Sequence, residues 1–303
     1  MQQIDILMAT YNGADYLPQQ LCSIINQSMR SWTLYVHDDG STDATLSIVR
    51  RFAAVDSRIK LIEDGVTYHD AGRNFLHLLE YSKAPFAIFC DQDDIWLENK
   101  LEKMLEFIVQ CDNTKPIAVY SNSYVYDMAS SSISGYATMC HPKELKDVFF
   151  INSGIQGCAL MFNTMLKNIC KNIPQYVAMH DHVVTLAALT FGDLFYMDIR
   201  LMLYRRHQGT VTGETYTKKT RKAIDFFSKS KTVLSKKHYI AIQSFYETNK
   251  NIMPQEKRNV YNDFFHFVCE SKLKRLCHVI CGNYRLYGLR SILFIKMILR
   301  PLL

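Results

Sequence analysis

The segment Asp91-Gln92-Asp93-Asp94 holds three carboxylates within four residues, directly after the apolar run at 86–90. Carboxylate oxygens are preferred ligands of hard divalent cations, which can at the same time contact the oxygens of a phosphorylated substrate. A helix cap needs only one such side chain, and neighbouring negative charges repel one another unless a cation lies among them. We therefore expect this segment to bind a metal ion or phosphate groups.

Two more polar segments follow apolar runs in the same way. They are Thr10-Tyr11-Asn12-Gly13 and Asp38-Asp39-Gly40-Ser41-Thr42-Asp43. In an open α/β sheet, ligands bind in the crevice beyond the carboxyl ends of the strands. The three polar segments should therefore line one site.

The elements that would position these segments alternate over residues 1–123, and this alternation predicts βαβ units and a mostly parallel sheet flanked by helices. The predicted strands are 4–9, 32–36, 59–62, 86–90 and 117–120. Residues 124–214 are less regular, and the pattern after 215 is helical. We predict an α/β domain over 1–214 and a helical extension over 215–303.

Composition excludes several classes of protein. The 303 residues are 48% hydrophobic and 21% charged, as in a soluble globular protein and unlike a disordered chain. The sequence has no uninterrupted apolar run of about 18 residues and no basic leader with a cleavage site, so we expect neither a transmembrane helix nor a signal peptide. We expect the nine scattered cysteines to be reduced, in a cytoplasmic protein. Glycine-rich phosphate loops and a G-x-S-x-G elbow are absent, which argues against dinucleotide enzymes, P-loop NTPases and α/β hydrolases.

Basic residues are concentrated in the extension. Residues 215–303 hold 18 Lys and Arg against 5 Asp and Glu, whereas the rest of the chain holds 17 against 24. Because large apolar residues are interspersed, notably over 291–303, the pattern favours an interfacial helix on an anionic membrane surface. An ordinary packing helix is the alternative, and nucleic acid is the least favoured partner.

The three polar segments, in this order and spacing, resemble those of family 2 glycosyltransferases of GT-A fold. His180-Asp181-His182 and Tyr204-Arg205-Arg206-His207-Gln208-Gly209 resemble the bacterial rhamnosyltransferase-like branch of that family. The likeness covers about residues 1–213 and excludes the extension. It implies a catalytic domain with a nucleotide-binding half at 1–123 and an acceptor half at 124–214.

The resemblance also implies roles for individual residues in binding a nucleotide sugar. Tyr11 would lie near the base, and Asp39 would accept a hydrogen bond from the N3–H group of uracil or thymine. For Arg73 a surface arginine is the alternative, and for Gly157 a plain strand glycine. The full implied set is Thr10, Tyr11, Asn12, Asp39, Arg73, Asp93, Gly157, Arg205 and Arg206.

The resemblance further implies a metal ion and a general base. Mg²⁺ or Mn²⁺ would be held by residues among Asp91, Asp93, Asp94 and His207. Asp181 would take the proton of the acceptor hydroxyl, with helix capping as the alternative role.

The implied function is inverting transfer of a sugar, from dTDP-rhamnose or a UDP-hexose, to a lipid-linked or glycan acceptor in bacterial surface polysaccharide synthesis. The enzyme would be peripheral on the inner face of the cell membrane. Two alternatives are a metal-dependent nucleotidyltransferase and a non-catalytic protein that binds nucleotide sugars.

Overall fold

The computed structural model describes residues 3–151, 154–207, 231–282 and 284–303. The chain falls into two compact units. The first unit comprises Met1–Thr138, Ile155–Ile173 and Met179–Arg206, and the second comprises Met139–Gly154, Pro174–Ala178 and His207–Leu303. The boundary predicted at 214/215 lies outside the described residues and stays a prediction.

The first unit begins with four parallel strands in the order β3-β2-β1-β4. They are β1 (Ile4–Thr10), β2 (Trp32–Asp38), β3 (Ile59–Ile62) and β4 (Phe86–Cys90), connected through helices α1 (Leu17–Ile25), α2 (Thr45–Val55) and α3 (Ala71–His77). Every residue of β1 and β4 is buried, as expected for parallel strands covered on both faces. The predicted strands and the predicted parallel pairing are confirmed here.

Beyond β4 the sheet becomes mixed. The remaining strands are β5 (Ile95–Trp96), β6 (Ile117–Asp127), β7 (Ser132–Ser134), β8 (Leu160–Asn163) and β9 (Asp193–Arg206). Strand β8 runs antiparallel between β4 and β6, β9 runs parallel to β6, and β5 pairs antiparallel with β9. Helices α4 (Lys100–Ile108), α6 (Thr164–Cys170) and α7 (His180–Phe191) complete the unit. The α/β class is confirmed, but the sheet of the described residues is mixed rather than mostly parallel, because parallel pairing is confined to β1–β4 and to β6 with β9.

The second unit is helical. It contains α5 (Leu145–Val148), α8 (Lys236–Asn249), α9 (Gln255–Cys269), α10 (Lys272–Cys281) and α11 (Arg290–Leu299). Aromatic rings form its centre: Phe149 stacks on Phe264 with ring centroids 4.2 Å apart, and Phe267 packs on Tyr284 at 4.8 Å. Within the described part of the chain, none of the helices combines the length and apolar character needed to span a bilayer.

Candidate active site

Strands β1 and β2 end side by side, so the polar segments that follow them meet. Thr10 and Asp38 are register partners, and the Thr10 Oγ1 atom donates a hydrogen bond to Asp38 Oδ2 at 2.8 Å. Asp38 also accepts hydrogen bonds from the main-chain N–H and the hydroxyl of Ser41, at 2.7 Å and 2.6 Å. Asp38 therefore organises the turn, and Thr10 is buried beneath it.

Asp39 lies one residue further and is buried. Its carboxylate accepts hydrogen bonds from three consecutive main-chain N–H groups, those of Tyr68, His69 and Asp70. Asp70 in turn caps α3 by accepting from the N–H of Arg73 at 2.9 Å. Asp39 thus fixes the segment that presents Arg73. The base contact implied for Asp39 stays a prediction, and Oδ2 retains one accepting position for it, since a carboxylate oxygen accepts two hydrogen bonds.

Gln92 joins the segment after β4 to the segment after β1. Its side-chain amide pairs with the main chain of Tyr11: Oε1 accepts from the N–H at 3.0 Å, and Nε2 donates to the carbonyl oxygen at 2.9 Å. Gly13 leaves room for this amide, since a Cβ atom there would lie 2.1 Å from the present position of Gln92 Oε1. The pairing leaves the Tyr11 side chain 54% exposed at the mouth of the site. Sequence reasoning assigned Gln92 no role, although the residue stands within the acidic segment.

Asn12 connects the same turn to the start of α2. It adopts a positive φ of 45°, its N–H donates to Ser41 Oγ at 2.8 Å, and its Oδ1 accepts from the N–H of Thr42 at 2.8 Å. These bonds hold the loops after β1 and β2 together. The nucleotide contact implied for Asn12 stays a prediction.

Two carboxylates converge after β4. Oxygens of Asp91 and Asp94 and the sulfur of Cys158 all lie within 4.8 Å of one another. Asp94 is fully buried: Oδ1 accepts from the main-chain N–H of Arg205 at 3.1 Å, and Oδ2 has no hydrogen-bond partner. Burial and the neighbouring charges of Asp91 and Asp93 raise the pKa of Asp94 well above its ordinary value. Burial and the charge of Asp93 raise the pKa of Asp91 to about 6.

These features fit a divalent cation. Buried carboxylates with raised pKa values ionise more readily when a cation lies between them, and an orphaned buried oxygen costs free energy unless something binds it. Burial raises the pKa of the Cys158 thiol well above its ordinary value, so the sulfur stays a neutral, poor ligand for a hard metal. The carboxylates of Asp91 and Asp94 are therefore the group that would hold Mg²⁺ or Mn²⁺. Asp93 is half-buried beside them.

A buried lysine, which sequence reasoning missed, lies under this cluster. Lys100 Nζ donates to the carbonyl oxygen of Cys158 at 2.7 Å and lies 4.1 Å from the ring centroid of Trp96. Burial lowers the pKa of Lys100, while the charges of Asp94 and Asp91 oppose that shift. A lysine at the start of a helix carries no sequence signal for such a position.

Asp181 lies on helix α7, which is part of the first unit. The helix begins at His180 with Met179 as its N-cap, so Asp181 is not the capping residue and stands in the first turn. A carboxylate there is stabilised by the helix dipole. The His180 ring packs on Phe75 and Phe89, with centroids 3.9 Å and 4.7 Å apart. Burial lowers the pKa of His180 to about 3, so this histidine is a neutral core residue.

The segment at the end of β9 turns partly inward. Arg205 is only 3% exposed: its guanidinium donates to Gln19 Oε1 at 2.7 Å and lies 5.1 Å from the ring centroid of Tyr16. Arg206 is half-buried, and His207 is the first residue of the second unit. The phosphate contacts implied for Arg205 and Arg206, and the metal contact of His207, stay predictions. Gly157 is buried in a 3₁₀ turn, Gly157–Ala159, that leads into β8.

The structure therefore gathers several of the expected residues at the carboxyl edge of the parallel strands. Tyr11, Asp39, Asp91 and Asp94 follow β1, β2 and β4, which are adjacent in the sheet. An exposed aromatic ring is suited to a planar base, and a half-buried carboxylate beside a buried one is suited to a cation on a diphosphate.

Comparison with known proteins gives the family. Residues 5–173 match the model of the family described as Glycosyl transferase family 2. The dTDP-rhamnosyl transferase RfbG of Shigella flexneri is 29% identical over 71% of this chain and 76% of its own length. WfaP of Escherichia coli, a UDP-Glc:alpha-D-GlcNAc-diphosphoundecaprenol beta-1,3-glucosyltransferase, is 26% identical over 81% of this chain and 92% of its own.

Solved structures share the fold. TarS of S. aureus in complex with UDP-GlcNAc superposes with a TM-score of 0.55 at 18% identity, over 72% of this chain and 62% of that chain, less than two thirds of its length. The mannosyltransferase PcManGT of Pyrobaculum calidifontis, in complex with GDP-Man and Mn²⁺, gives 0.52 at 14% identity, over 97% and 85%. The expected GT-A architecture is confirmed.

Proposed function

The chain belongs to glycosyl transferase family 2, and we propose that it is an inverting, metal-dependent enzyme that transfers a sugar from a nucleoside diphosphate to a lipid-linked saccharide. One observation carries the proposal. Asp91 and Asp94 converge beyond a buried parallel strand, and one oxygen of Asp94 is buried without a hydrogen-bond partner. Such a pair suits a cation bound to a diphosphate.

The proposed cation is Mg²⁺ or Mn²⁺, held by Asp91 and Asp94 with Asp93 and His207 as further candidate ligands. When bound, it would act as a Lewis acid that neutralises charge on the departing nucleoside diphosphate. The main-chain N–H of Arg205 donates to Asp94, and the buried ammonium of Lys100 offsets the charges of Asp94 and Asp91.

The proposed donor is dTDP-rhamnose or a UDP-hexose. Tyr11 offers an exposed ring on which a pyrimidine base can stack, and Asp39 accepts hydrogen bonds from the segment that leads to Arg73. The names of RfbG and WfaP refer to a dTDP-rhamnosyl and a UDP-Glc donor. The other residues of the proposed binding set are Thr10, Asn12, Asp93, Gly157, Arg205 and Arg206.

Asp181 is the proposed general base. The acceptor oxygen forms a bond to the anomeric carbon, the bond from that carbon to the diphosphate oxygen breaks on the opposite face, and the hydroxyl proton goes to the Asp181 carboxylate. The configuration inverts because a single displacement occurs. The neutral, buried His180 fixes the start of α7 and so the position of Asp181.

The acceptor and the membrane are linked in this proposal. WfaP acts on a diphosphoundecaprenol, by its name, and a lipid-linked acceptor would require attachment at the inner face of the cell membrane. Helix α10 supports this: Leu273 is 78% exposed, Ile280 is exposed, and Lys274 is exposed on the same helix. Flotation with anionic vesicles tests it: Lys274→Gln with Arg275→Gln should lower the bound fraction, and equal binding by this variant and the wild type would reject attachment through α10.

The activity is tested with a panel of UDP, dTDP and GDP sugars, with Mn²⁺ or with EDTA. We expect turnover of one donor, only with metal, and at least a hundredfold loss for Asp181→Asn with donor binding retained, since a general base contributes about 10²–10⁴-fold. Asp94→Asn should lose metal-dependent donor binding. Asp198→Asn, a change of an exposed carboxylate on β9, is the matched control. If no nucleotide sugar binds with metal present, the proposal fails.

A further inference from the structure

A second group of ligating side chains lies in the first unit, apart from the carboxylates after β4. It consists of His37 on β2, Asp64 in the loop after β3 and His77 at the end of α3. We call these three residues the His37 cluster. One ligating atom from each lies within 4.8 Å of the other two. His37 Nε2 is 3.2 Å from Asp64 Oδ1, and His77 Nε2 is 2.6 Å from Asp64 Oδ2.

The geometry points to a zinc site: we propose that the His37 cluster binds one Zn²⁺ through the Nε2 atoms of both histidines and the carboxylate of Asp64. Two imidazoles and one carboxylate form a known zinc ligand set that leaves the fourth position to water. Bonds of about 2.0–2.2 Å in a tetrahedron place neighbouring ligand atoms about 3.3 Å apart. The 3.2 Å between His37 Nε2 and Asp64 Oδ1 is close to this spacing, and the 2.6 Å between His77 Nε2 and Asp64 Oδ2 would lengthen when the metal binds.

The hydrogen bonding of His37 gives a second, geometric argument. His37 Nδ1 lies 2.5 Å from Asn74 Oδ1, while Asn74 Nδ2 donates to the main-chain oxygen of His37 at 3.3 Å. The two contacts fix the ring so that Nε2 faces the Asp64 carboxylate. A hydrogen bond from the far nitrogen of a histidine is also how zinc ligands are held in register.

An ion pair between Asp64 and the histidines is the alternative to a metal ion. One divalent cation would serve all three ligands at once.

The exposure of the ligand side chains and the hydrogen bonding of Asp64 agree with a zinc site. The side chains of Asp64 and His77 are 22% and 16% exposed, which leaves an entry path, while His37 closes the inner side. The hydroxyl of Tyr81 donates to Asp64 Oδ2 at 2.8 Å and holds that carboxylate towards the histidines. Bound zinc would connect β2 to α3. In the sequence these two elements lie before and after the segment whose main-chain N–H groups bind Asp39.

The test uses full-length protein stripped with EDTA, then titrated with Zn²⁺ in excess Mg²⁺ so that the carboxylates after β4 are occupied. We expect the wild type to bind one Zn²⁺ more than His77→Gln and Asp64→Asn, and to gain more thermal stability from Zn²⁺ than either. His69→Gln, a change of an exposed histidine in the same loop, should match the wild type. Circular dichroism of each stripped variant checks that it is folded.

If both variants bind as many Zn²⁺ ions as the wild type, with the same affinity, the zinc site is rejected and the cluster is an ion pair of protonated histidine with Asp64. An Asn74→Ala variant separates the two outcomes further. Loss of an outer partner weakens metal affinity by about 10–100-fold, whereas it leaves unchanged the affinity of sites elsewhere. Turnover of nucleotide sugars is measured separately and does not bear on this result.

Discussion

Gly157 lies so close to His180 that the histidine ring leaves no room for a side chain at position 157: a Cβ atom there would lie 2.0 Å from His180 Nε2. The glycine is therefore needed for the histidine that begins α7, next to Asp181. The close approach at Gly157 is made in this structure to a protein side chain, and the nucleotide-sugar contact that the resemblance implies for Gly157 stays a prediction.

Gly157→Ala should lower both stability and turnover. Overpacking a buried site costs about 1–3 kcal/mol, and displacement of His180 would move the first turn of α7 with its carboxylate. Urea unfolding and steady-state kinetics measure the two effects. Adding His180→Ala should recover part of the lost stability, because the double change restores the space. Additive losses in the double variant would show that the contact is not the cause.

His180 should make stability depend on pH. Burial lowers its pKa in the folded protein to about 3, whereas the unfolded chain has the ordinary value of about 6.5. Between these values the unfolded chain binds more protons than the folded protein, so the free energy of unfolding falls as pH decreases from about 6.5 towards 3. The contribution of His180 to stability is fully present above pH 6.5.

Urea unfolding of the His180→Gln variant between pH 4 and 7 checks this dependence, and its slope should be shallower than that of the wild type. His238→Gln serves for comparison in the second unit, because burial lowers the pKa of His238 to about 4. Parallel slopes for wild type and His180→Gln would contradict the expected titration.

Gln92→Ala should loosen the turn at Tyr11. It removes two hydrogen bonds to the main chain, each worth about 0.5–1.5 kcal/mol. If Tyr11 contacts the base, the KM for the donor should rise several-fold while kcat changes less. Gln110→Ala, at an exposed position after α4, should leave both constants unchanged. An unchanged KM with a lower kcat would assign Gln92 to the chemical step.

Lys100→Met should make the fold more dependent on metal. The buried ammonium offsets the charges of Asp91 and Asp94, and its removal leaves that task to a bound cation. The rise in melting temperature on adding Mn²⁺ should therefore be larger for Lys100→Met than for the wild type. Lys103→Met, on the same helix and with its side chain 42% exposed, is the matched control. A rise equal to that of the wild type would contradict this role.

The features predicted correctly from the sequence are those determined by continuous runs of residues. The strands β1 to β4 are mainly apolar runs that end in polar segments, so their parallel pairing and the meeting of Tyr11, Asp39 and Asp91 followed from pattern alone. What was missed depends on pairing between distant segments. The two-residue strand β5 exists only through β9, and Lys100, Cys158 and Gln92 gain their contacts from tertiary packing. His180 could not be assigned to core or surface without its neighbours Phe75 and Phe89.

The hydrogen bond from the Arg205 main chain to Asp94 spans 111 positions of sequence. Strand β9 also pairs Leu203 with Ile95, directly beyond the acidic segment. During synthesis from the N-terminus, the four parallel strands are complete long before β9 leaves the ribosome. Long-range closure of this kind is slow, so a nascent chain can present a formed base-binding edge while its cation-binding carboxylates still lack their final support. The chain would then bind the metal ion only after β9, which ends at Arg206, has joined the sheet.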